Sequence, residues 1–227
     1  MIAITGATGH TGHVAAKTLL ARGQKVRVLG RSAEKLAPLV ALGAEPRVFE
    51  FHDEVAMTDA FTGADAVYAM NPPDLTAEDV IGHYDRNSEA LVAAIKGSGV
   101  KHVVTLSSVG AQLPEGSGPV LGLRRMEEKI NTIRDLNVLH LRPCYFMENT
   151  LAQIGVIQRF GAVGGIITSD LKFATIATRD IGVVAADRLE RRDFIGISTH
   201  ELLGPRDVSM NEIAKIIGAG IGQPGLS

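Results

Sequence analysis

The sequence predicts an α/β fold: a doubly wound parallel sheet (a Rossmann fold) of about six or seven strands, with a small C-terminal α/β lobe. Three observations carry that expectation. Short β-branched runs alternate with amphipathic stretches long enough to be helical crossovers, from "IAIT" near the start to "NVLHLRP" at residue 137. Strands separated by such stretches cannot close as hairpins, so each returns parallel to the one before. A glycine-rich turn, "TGATGHTG", stands between the first strand and the first helix. The 227 residues, 45% of them hydrophobic, suffice for one substantial core.

Taken in order, "IAIT" feeds a helix to Arg22, "KVRVLG" one through Leu42, and "PRVFE" one ending near Phe61. "DAVYAM" leads to a helix from about Leu75 to Lys96, "KHVVTLSS" to one near 120–135, and "NVLHLRP" to one from about Tyr145 to Phe160. In the helix near 120–135, Leu123, Met126, Ile130 and Ile133 recur at helical spacing and are assigned to the core. Past residue 160 the alternation loosens into "GAVGGIITSD", a helix opening at "TRDIG", a strand "DFIGIST" and a last helix, where Ser209 and Glu212 have capping-box spacing. The expected division is a dinucleotide-binding Rossmann domain over 1–160 and a small substrate-side lobe over 161–227, integrated with it.

A net charge of −2 gives no reason to expect nucleic acid or an anionic membrane as partner. The single cysteine, Cys144, excludes an internal disulfide and offers no metal-binding cluster, which suits a reducing compartment; the cytoplasm is the expectation. The first apolar stretch has no basic leader and breaks at Gly6, too soon for a signal peptide or a membrane span.

A strand that ends at a glycine turn and feeds a helix gathers free backbone amides and the positive end of the helix dipole at one point, where a pyrophosphate fits. Gly6 permits the tight turn, Gly9 a close approach of backbone to phosphate, and Gly12 the contact of helix with sheet. The spacing is G-x-x-G-x-x-G, one residue longer in its first half than the common dinucleotide fingerprint. The context supplies the rest, for the turn follows the first strand and begins a βαβ unit of about 30 residues. The structural alternative is a plain glycine-rich βα turn. At the end of the second strand, "VLGRSAEK" holds no acid before Glu34, where an NAD site carries a carboxylate for the ribose hydroxyls. Arg31 there is a planar bidentate donor suited to a 2′-phosphate, so NADP(H) is favoured, with NAD the alternative. Ser32 reads equally as an N-cap or a phosphate ligand.

These residues resemble the atypical short-chain dehydrogenase/reductases, and within them the NmrA-like group, which includes NADP-sensing regulators, quinone reductases and triphenylmethane-dye reductases. The likeness runs through "TGATGHTG", "VRVLGRS", "FTGADAVY", "VKHVVTLSS", "NVLHLRPCYFMEN" and "TRDIG"; "LRPCYFMEN" and "TRDIG" narrow it to this group. The resemblance implies that Gly6, Thr8, Gly9, His10, Thr11 and Gly12 line the diphosphate, Arg31 the adenosine phosphate, and Glu50 and Phe51 the adenine. It places Met70, Asn71 and Pro72 at the nicotinamide ribose, and Ser107 and Ser108 beside the nicotinamide. Members of the group usually continue for several dozen residues past "GAGIGQPGLS", so the lobe is expected to be short or truncated.

One departure bears on chemistry. Relatives that act on a carbinol carry Tyr-x-x-x-Lys on the helix after the fifth strand, the lysine lowering the tyrosine pKa so that it moves a proton at neutral pH. None of Tyr68, Tyr84 and Tyr145 has lysine four residues on. Arg124 or Arg125 stands near the lysine's place, and an arginine stays protonated. Hydride transfer to a quinone, azo or other conjugated acceptor needs positioning above all, and the product can take its proton from water. Tyr145, Phe146 and Asn149, after the sixth strand, are candidates for the acceptor pocket; no catalytic residue and no metal ligand is singled out. Cys144 is expected to be a small buried apolar group, and His102 and His140 satisfied strand histidines. Two functions remain: an NADPH-dependent oxidoreductase acting on small conjugated acceptors, or an NADP(H)-sensing binding protein that acts on a regulatory protein partner without turnover. An epimerase is disfavoured by the missing dyad. The sequence leaves the oligomeric state open.

Overall fold

The structure, a computed structural model, describes residues 1–164, 167–223 and 225–226; two residues of "GAVGGIITSD" and two of the terminal "QPGLS" lie outside the described residues. In chain order the elements are β1 (Ile2–Ile4), α1 (His10–Ala21), β2 (Val26–Gly30), α2 (Ala33–Val40), β3 (Glu45–Val48), α3 (Glu54–Phe61), β4 (Ala66–Met70), α4 (Val80–Ser98), β5 (His102–Leu106) and α5 (Val120–Ile130). There follow β6 (Asn137–Pro143), β7 (Tyr145–Phe146), a 3-10 turn over Met147–Ala152, α6 (Gln153–Phe160), β8 (Phe173–Ile176), α7 (Thr178–Arg191), β9 (Ile197–Leu202), β10 (Asp207–Val208) and α8 (Met210–Gly220).

The main sheet has seven strands in the order β3-β2-β1-β4-β5-β6-β9. Strands β1 to β6 pair in parallel. Val138 N–H donates to the Gly196 carbonyl and Cys144 N–H to that of Leu202, so β9 rises in step with β6 and is parallel too. Strand order reverses between β1 and β4, which makes the space beyond their carboxyl ends the topological switch point where open sheets of this kind bind ligands. The expected doubly wound sheet is thus what the chain forms.

Packing divides the chain into two compact units, Met1–Arg142 with Arg179–Glu201, and Pro143–Thr178 with Leu202–Ser227. Residues 143–160, expected with the first domain, pack in the second unit, and most of α7 and β9, expected in the lobe, pack in the first. In the first unit, Met57 and Phe61 of α3, Leu91 and Ile95 of α4, and Met126 and Ile130 of α5 pack with Val67, Ala69 and Val103 of the strands, with Leu123 and Ile133 at the margin. Full burial of each large apolar side chain contributes about 1.5–3 kcal/mol. In the second unit, β10-β8-β7 form a small sheet, and Val208, Met210 and Ile213 pack with Phe173 and Ile217. Ser209 and Glu212 make the expected capping box of α8, each side chain accepting from the other's backbone N–H.

Three element boundaries differ from expectation, each for a local reason. α4 starts at Val80, not Leu75: Asp79 caps it by accepting from Gly82 N–H, and Asp74 accepts from Thr76 N–H and Oγ1, holding the preceding stretch as a turn. α2 stops at Val40, where Leu42 and Gly43 turn back with N–H bonds to Leu39 and Val40. The helix expected from Tyr145 is split: Tyr145 and Phe146 pair with Thr175 and Ile176 of β8, and only Gln153–Phe160 is α-helical.

Candidate functional site

The turn after β1 is fastened to the switch point. Thr5 N–H and Oγ1 both donate to the Tyr68 carbonyl at 3.0 Å, and Thr5 Oγ1 accepts from Met70 N–H at 2.9 Å. Gly6 turns the chain at φ +62°, and a Cβ there would lie 2.6 Å from Met70 Cγ. A Cβ on Gly12 would collide with the Gly6 carbonyl oxygen, so the first turn of α1 rests directly on the loop backbone. The first intrahelical bond of α1 runs from His13 N–H to the Gly9 carbonyl, leaving the amides of His10, Thr11 and Gly12 without intrahelical acceptors. No side chain caps this helix and no acid stands in its first turn. Thr8, Gly9 and His10 are exposed. The result is an uncapped, electropositive helix start open to solvent, the geometry a diphosphate requires.

The side chain of Thr11 faces inward instead: it is buried, and its hydroxyl accepts from Tyr68 Oη at 3.0 Å, so only its backbone is available to a ligand. Gly182, in the "TRDIG" stretch, lets α7 press on this same turn, since a Cβ there would lie 2.6 Å from Val14 Cβ and 2.8 Å from the Thr11 carbonyl.

A Cβ on Gly30 would touch Thr8 Cγ2 at 3.4 Å, so the end of β2 lies against the glycine loop and the next residue, Arg31, beside it. Arg31 is exposed, and among the described residues no carboxylate pairs with it. Ser32 resolves as an N-cap, accepting from Lys35 N–H at 3.3 Å. Phe49 N–H donates to the Gly30 carbonyl, which brings the stretch after β3 alongside; there Glu50 is exposed and Phe51 half-buried, its ring 6.0 Å from that of Phe49.

At the end of β4, Met70 lies against Gly6, Pro72 is half-buried, and Asn71 is buried with its amide bonded internally. At the end of β5, Ser108 is half-buried and donates to the Val109 carbonyl. Ser107 is buried, with a hydroxyl that makes no hydrogen bond of ordinary geometry and lies toward the carboxylate of Glu127. That carboxylate is the charge the sequence reading missed. Glu127, 4% exposed, receives Arg142 Nε at 2.9 Å and Nη2 at 2.5 Å in a two-bonded fork. Burial alone would push the Glu127 carboxyl up; Arg142, with Ser107 and His140 nearby, overrides burial and holds it below the usual carboxylate range. His140, one alternation before Arg142 on β6, bonds Thr105 Oγ1 through Nδ1 (2.8 Å) and Asn131 Oδ1 through Nε2 (2.9 Å), and burial pushes its pKa down to about 4. A signal existed: polar His140 and Arg142 alternate on a buried strand, which demands polar partners from the covering helix.

The two tyrosines of the first unit, Tyr68 and Tyr84, are both taken up in packing. Tyr68 is buried on Thr11, its pKa raised by burial, and Tyr84 is buried so closely against α5 that a Cβ on Gly122 would overlap its ring. Arg124 donates to the Gln112 carbonyl and pairs with Glu128, and Arg125 pairs with Asp85, so neither arginine takes a lysine-like place.

In the second unit, Tyr145 meets Phe173 edge-on at 5.3 Å, Phe146 is half-buried and Asn149 exposed. Cys144 is half-buried, and burial pushes its thiol up, so it is protonated at neutral pH. Glu148 accepts from Thr178 N–H with both carboxylate oxygens at 3.0 Å. Among the described residues, no group of His, Cys, Asp and Glu could hold a metal ion, and no helix is long and apolar enough to cross a membrane.

The chain matches the NAD(P)H-binding family over residues 6–190. It is 29% identical over 226 residues to the (4-alkanoyl-5-oxo-2,5-dihydrofuran-3-yl)methyl phosphate reductase of Streptomyces griseus, covering 99% of this chain and 75% of that one. It is 27% identical over 221 residues to quinone oxidoreductase 2 of Escherichia coli, covering 94% and 72%. The crystal structure of an NADPH-dependent quinone oxidoreductase of Escherichia coli complexed with NADPH shares its fold, with a TM-score of 0.81 at 23% identity over 100% of this chain and 77% of that one. With a glycine cradle at the switch point and this match over most of its length, the chain belongs to the NAD(P)H-binding family of atypical, NmrA-like short-chain dehydrogenase/reductases and is an NAD(P)H-dependent oxidoreductase.

Proposed function

We propose that the protein uses NADPH to reduce quinone-like or other conjugated small molecules, without a Tyr-x-x-x-Lys dyad. The observation that carries the proposal is the start of α1: three amides without intrahelical acceptors, no cap and no acid, held behind Gly6 and Gly12, with Arg31 unpaired beside them. In this reading the backbone of Gly6, Thr8, Gly9, His10, Thr11 and Gly12 binds the diphosphate, and Arg31 binds the 2′-phosphate as a bidentate donor. Glu50 and Phe51 flank the adenine; Met70, Asn71 and Pro72 flank the nicotinamide ribose. Ser107 and Ser108 border the nicotinamide, Ser107 through its backbone because its hydroxyl is turned inward. Tyr145, Phe146 and Asn149 are assigned to the acceptor.

When bound, the reduced nicotinamide supplies a hydride, and the chain's own residues orient it and exclude water. The acceptor gains the hydride and one proton. In this reading the proton comes from water, which is sufficient where the hydride enters a conjugated system and insufficient for a strongly basic alkoxide. Mixing the protein with NADPH and a panel of quinones and following the reduced-nicotinamide absorbance tests the acceptor class. Acceptor-dependent loss of signal is expected; tight NADPH binding with no consumption across the panel would overturn it.

A further inference from the structure

The connection from β5 to α5, residues 107–119, leaves the sheet at the end where the coenzyme is assigned and opens with Ser107 and Ser108. Its first leg, residues 108–113, takes its shape from its own backbone. Ala111 N–H donates to the Ser108 carbonyl at 3.1 Å, and Leu113 N–H to that of Gly110 at 3.0 Å. Gly110 turns at φ +97°, and its N–H donates to Gln112 Oε1 at 2.9 Å. Each turn brings residues three apart to within about 7 Å, so Leu113 stays near Ser108. All these bonds are internal, and none fixes where the leg lies against the helix. Arg124 of α5 does that. Its Nη1 donates to the Gln112 carbonyl at 3.0 Å with the Ala111 carbonyl 3.5 Å away, and its Nη2 pairs with Glu128, one turn on, at 2.7 Å. Among the described residues no other side chain of α5 bonds this leg. The leg therefore has an anchored side and an open one: Ala111 is buried, while Leu113, next after the held Gln112 carbonyl, is 47% exposed. A lone exposed leucine is ordinary on a surface. This one stands on a braced loop at the ligand end of the sheet, and sites for small conjugated molecules are walled by such side chains.

We infer that Arg124 is a positioning residue for the acceptor: it straps this leg to α5 and so sets Leu113 as an apolar wall against the conjugated ring. The inference rests on the acceptor class proposed above and on the assignment of Ser107 and Ser108 to the nicotinamide. The guanidinium acts only through the loop. Its bonds reach two loop carbonyls and one carboxylate of its own helix, so its loss loosens Leu113 and leaves the glycine turn between β1 and α1 as it was. Leu113 is the residue that meets the acceptor, and removing it deletes the same contact that the strap secures.

Wild type, Leu113→Ser, Arg124→Ala and the double variant are compared in three measurements. Solvent exchange of the Leu113 amide, followed by NMR without coenzyme, is expected to be roughly tenfold faster in Arg124→Ala. NADPH affinity, from fluorescence titration, is expected to be the same in all four proteins. Acceptor KM is read at saturating NADPH with a quinone that the wild type reduces. It is expected to rise roughly fivefold in each single variant, what partial burial of one leucine supplies, with a smaller change in kcat. The double variant is expected to rise no further, because both changes remove one contact. Unchanged exchange at Leu113 overturns the strap. Unchanged KM in Leu113→Ser, or single effects that multiply in the double variant, overturns the joint role. Should Arg124→Ala fail to fold, Arg124→Gln, whose shorter amide falls short of the loop carbonyls, replaces it in every comparison; Leu113→Ser, on the exposed side, decides alone if both fail. A folded wild type that consumes NADPH with no quinone overturns the acceptor class and this inference with it, whereas turnover with one KM in all four proteins overturns this inference alone.

Discussion

Breaking the Glu127–Arg142 pair tests the buried end of β6 directly. Glu127 is 4% exposed and the Arg142 side chain 16%, so Arg142→Met leaves the Glu127 charge with little water and no cation bonded to it, and Glu127→Met leaves Arg142 with only the weaker attraction of Glu201. Loss of one partner of a buried pair costs about 3–5 kcal/mol. Arg142 keeps some solvent contact, which argues for the lower end, about 3 kcal/mol for each single change. Replacing both by Met removes the charges together and is expected to cost little, about 0–2 kcal/mol, so the cycle should show a coupling of about 4–6 kcal/mol. For a chain of this size, about 3 kcal/mol lowers the melting temperature by roughly 6–12 °C. Urea unfolding followed by circular dichroism measures all four corners of the cycle. The folded carboxyl lies below its unfolded value, so the pair's contribution is complete above the unfolded carboxylate range, near pH 4.3, and is lost as the pH falls through the depressed folded value. The wild type should lose this increment in acid and Glu127→Met should not. Additive single changes, or equal acid sensitivity in the two proteins, would refute the reasoning.

Other outcomes follow from the same geometry. Gly12→Ala drives a methyl into the Gly6 carbonyl and should cost about 1–3 kcal/mol while abolishing NADPH binding, checked by unfolding and fluorescence titration; unchanged affinity would sink the cradle. Arg31→Ala should lose most of the preference for NADPH over NADH, read from paired titrations, and should leave NADH affinity alone. His140 is neutral when folded, with a pKa of about 4 against an ordinary 6.5, so the unfolded chain takes up its proton first; stability should fall as the pH drops from about 6.5 to about 4, and His140→Asn should flatten that window. Ser209→Ala should destabilise the second unit by about 1 kcal/mol, seen as local loss of amide protection in α8.

What could be seen in the sequence follows from how far each interaction reaches along the chain. The glycine cradle was legible because its parts lie within one turn: Gly6 and Gly12 are six residues apart, and the collision that excludes a side chain at Gly12 is with that same loop. The capping box of α8 and the apolar stripe of α5 were legible for the same reason. Asp79 was an overlooked local signal, a capping carboxylate standing after the apparent start of its helix. Glu127 could not be recognised in that way. In "RRMEEK" it looks like one more charge on a solvated face, and only the register of α5 against β6, fifteen residues on, shows that it faces Arg142. Asn71 and Asn87, sixteen residues apart, hide their pairing likewise. Thr11 and Ser107 show the converse limit, for a motif gives the residue its place and leaves the direction of its hydroxyl to neighbours elsewhere in the chain: Tyr68 turns one inward and Glu127 faces the other. The backbone of the proposed coenzyme site is therefore written locally, and the side chains packed behind it are written across the sheet. That division explains why the coenzyme could be named before the fold was seen and a catalytic residue could not. Binding a diphosphate needs consecutive amides from one turn, whereas placing a proton donor needs two elements in known register.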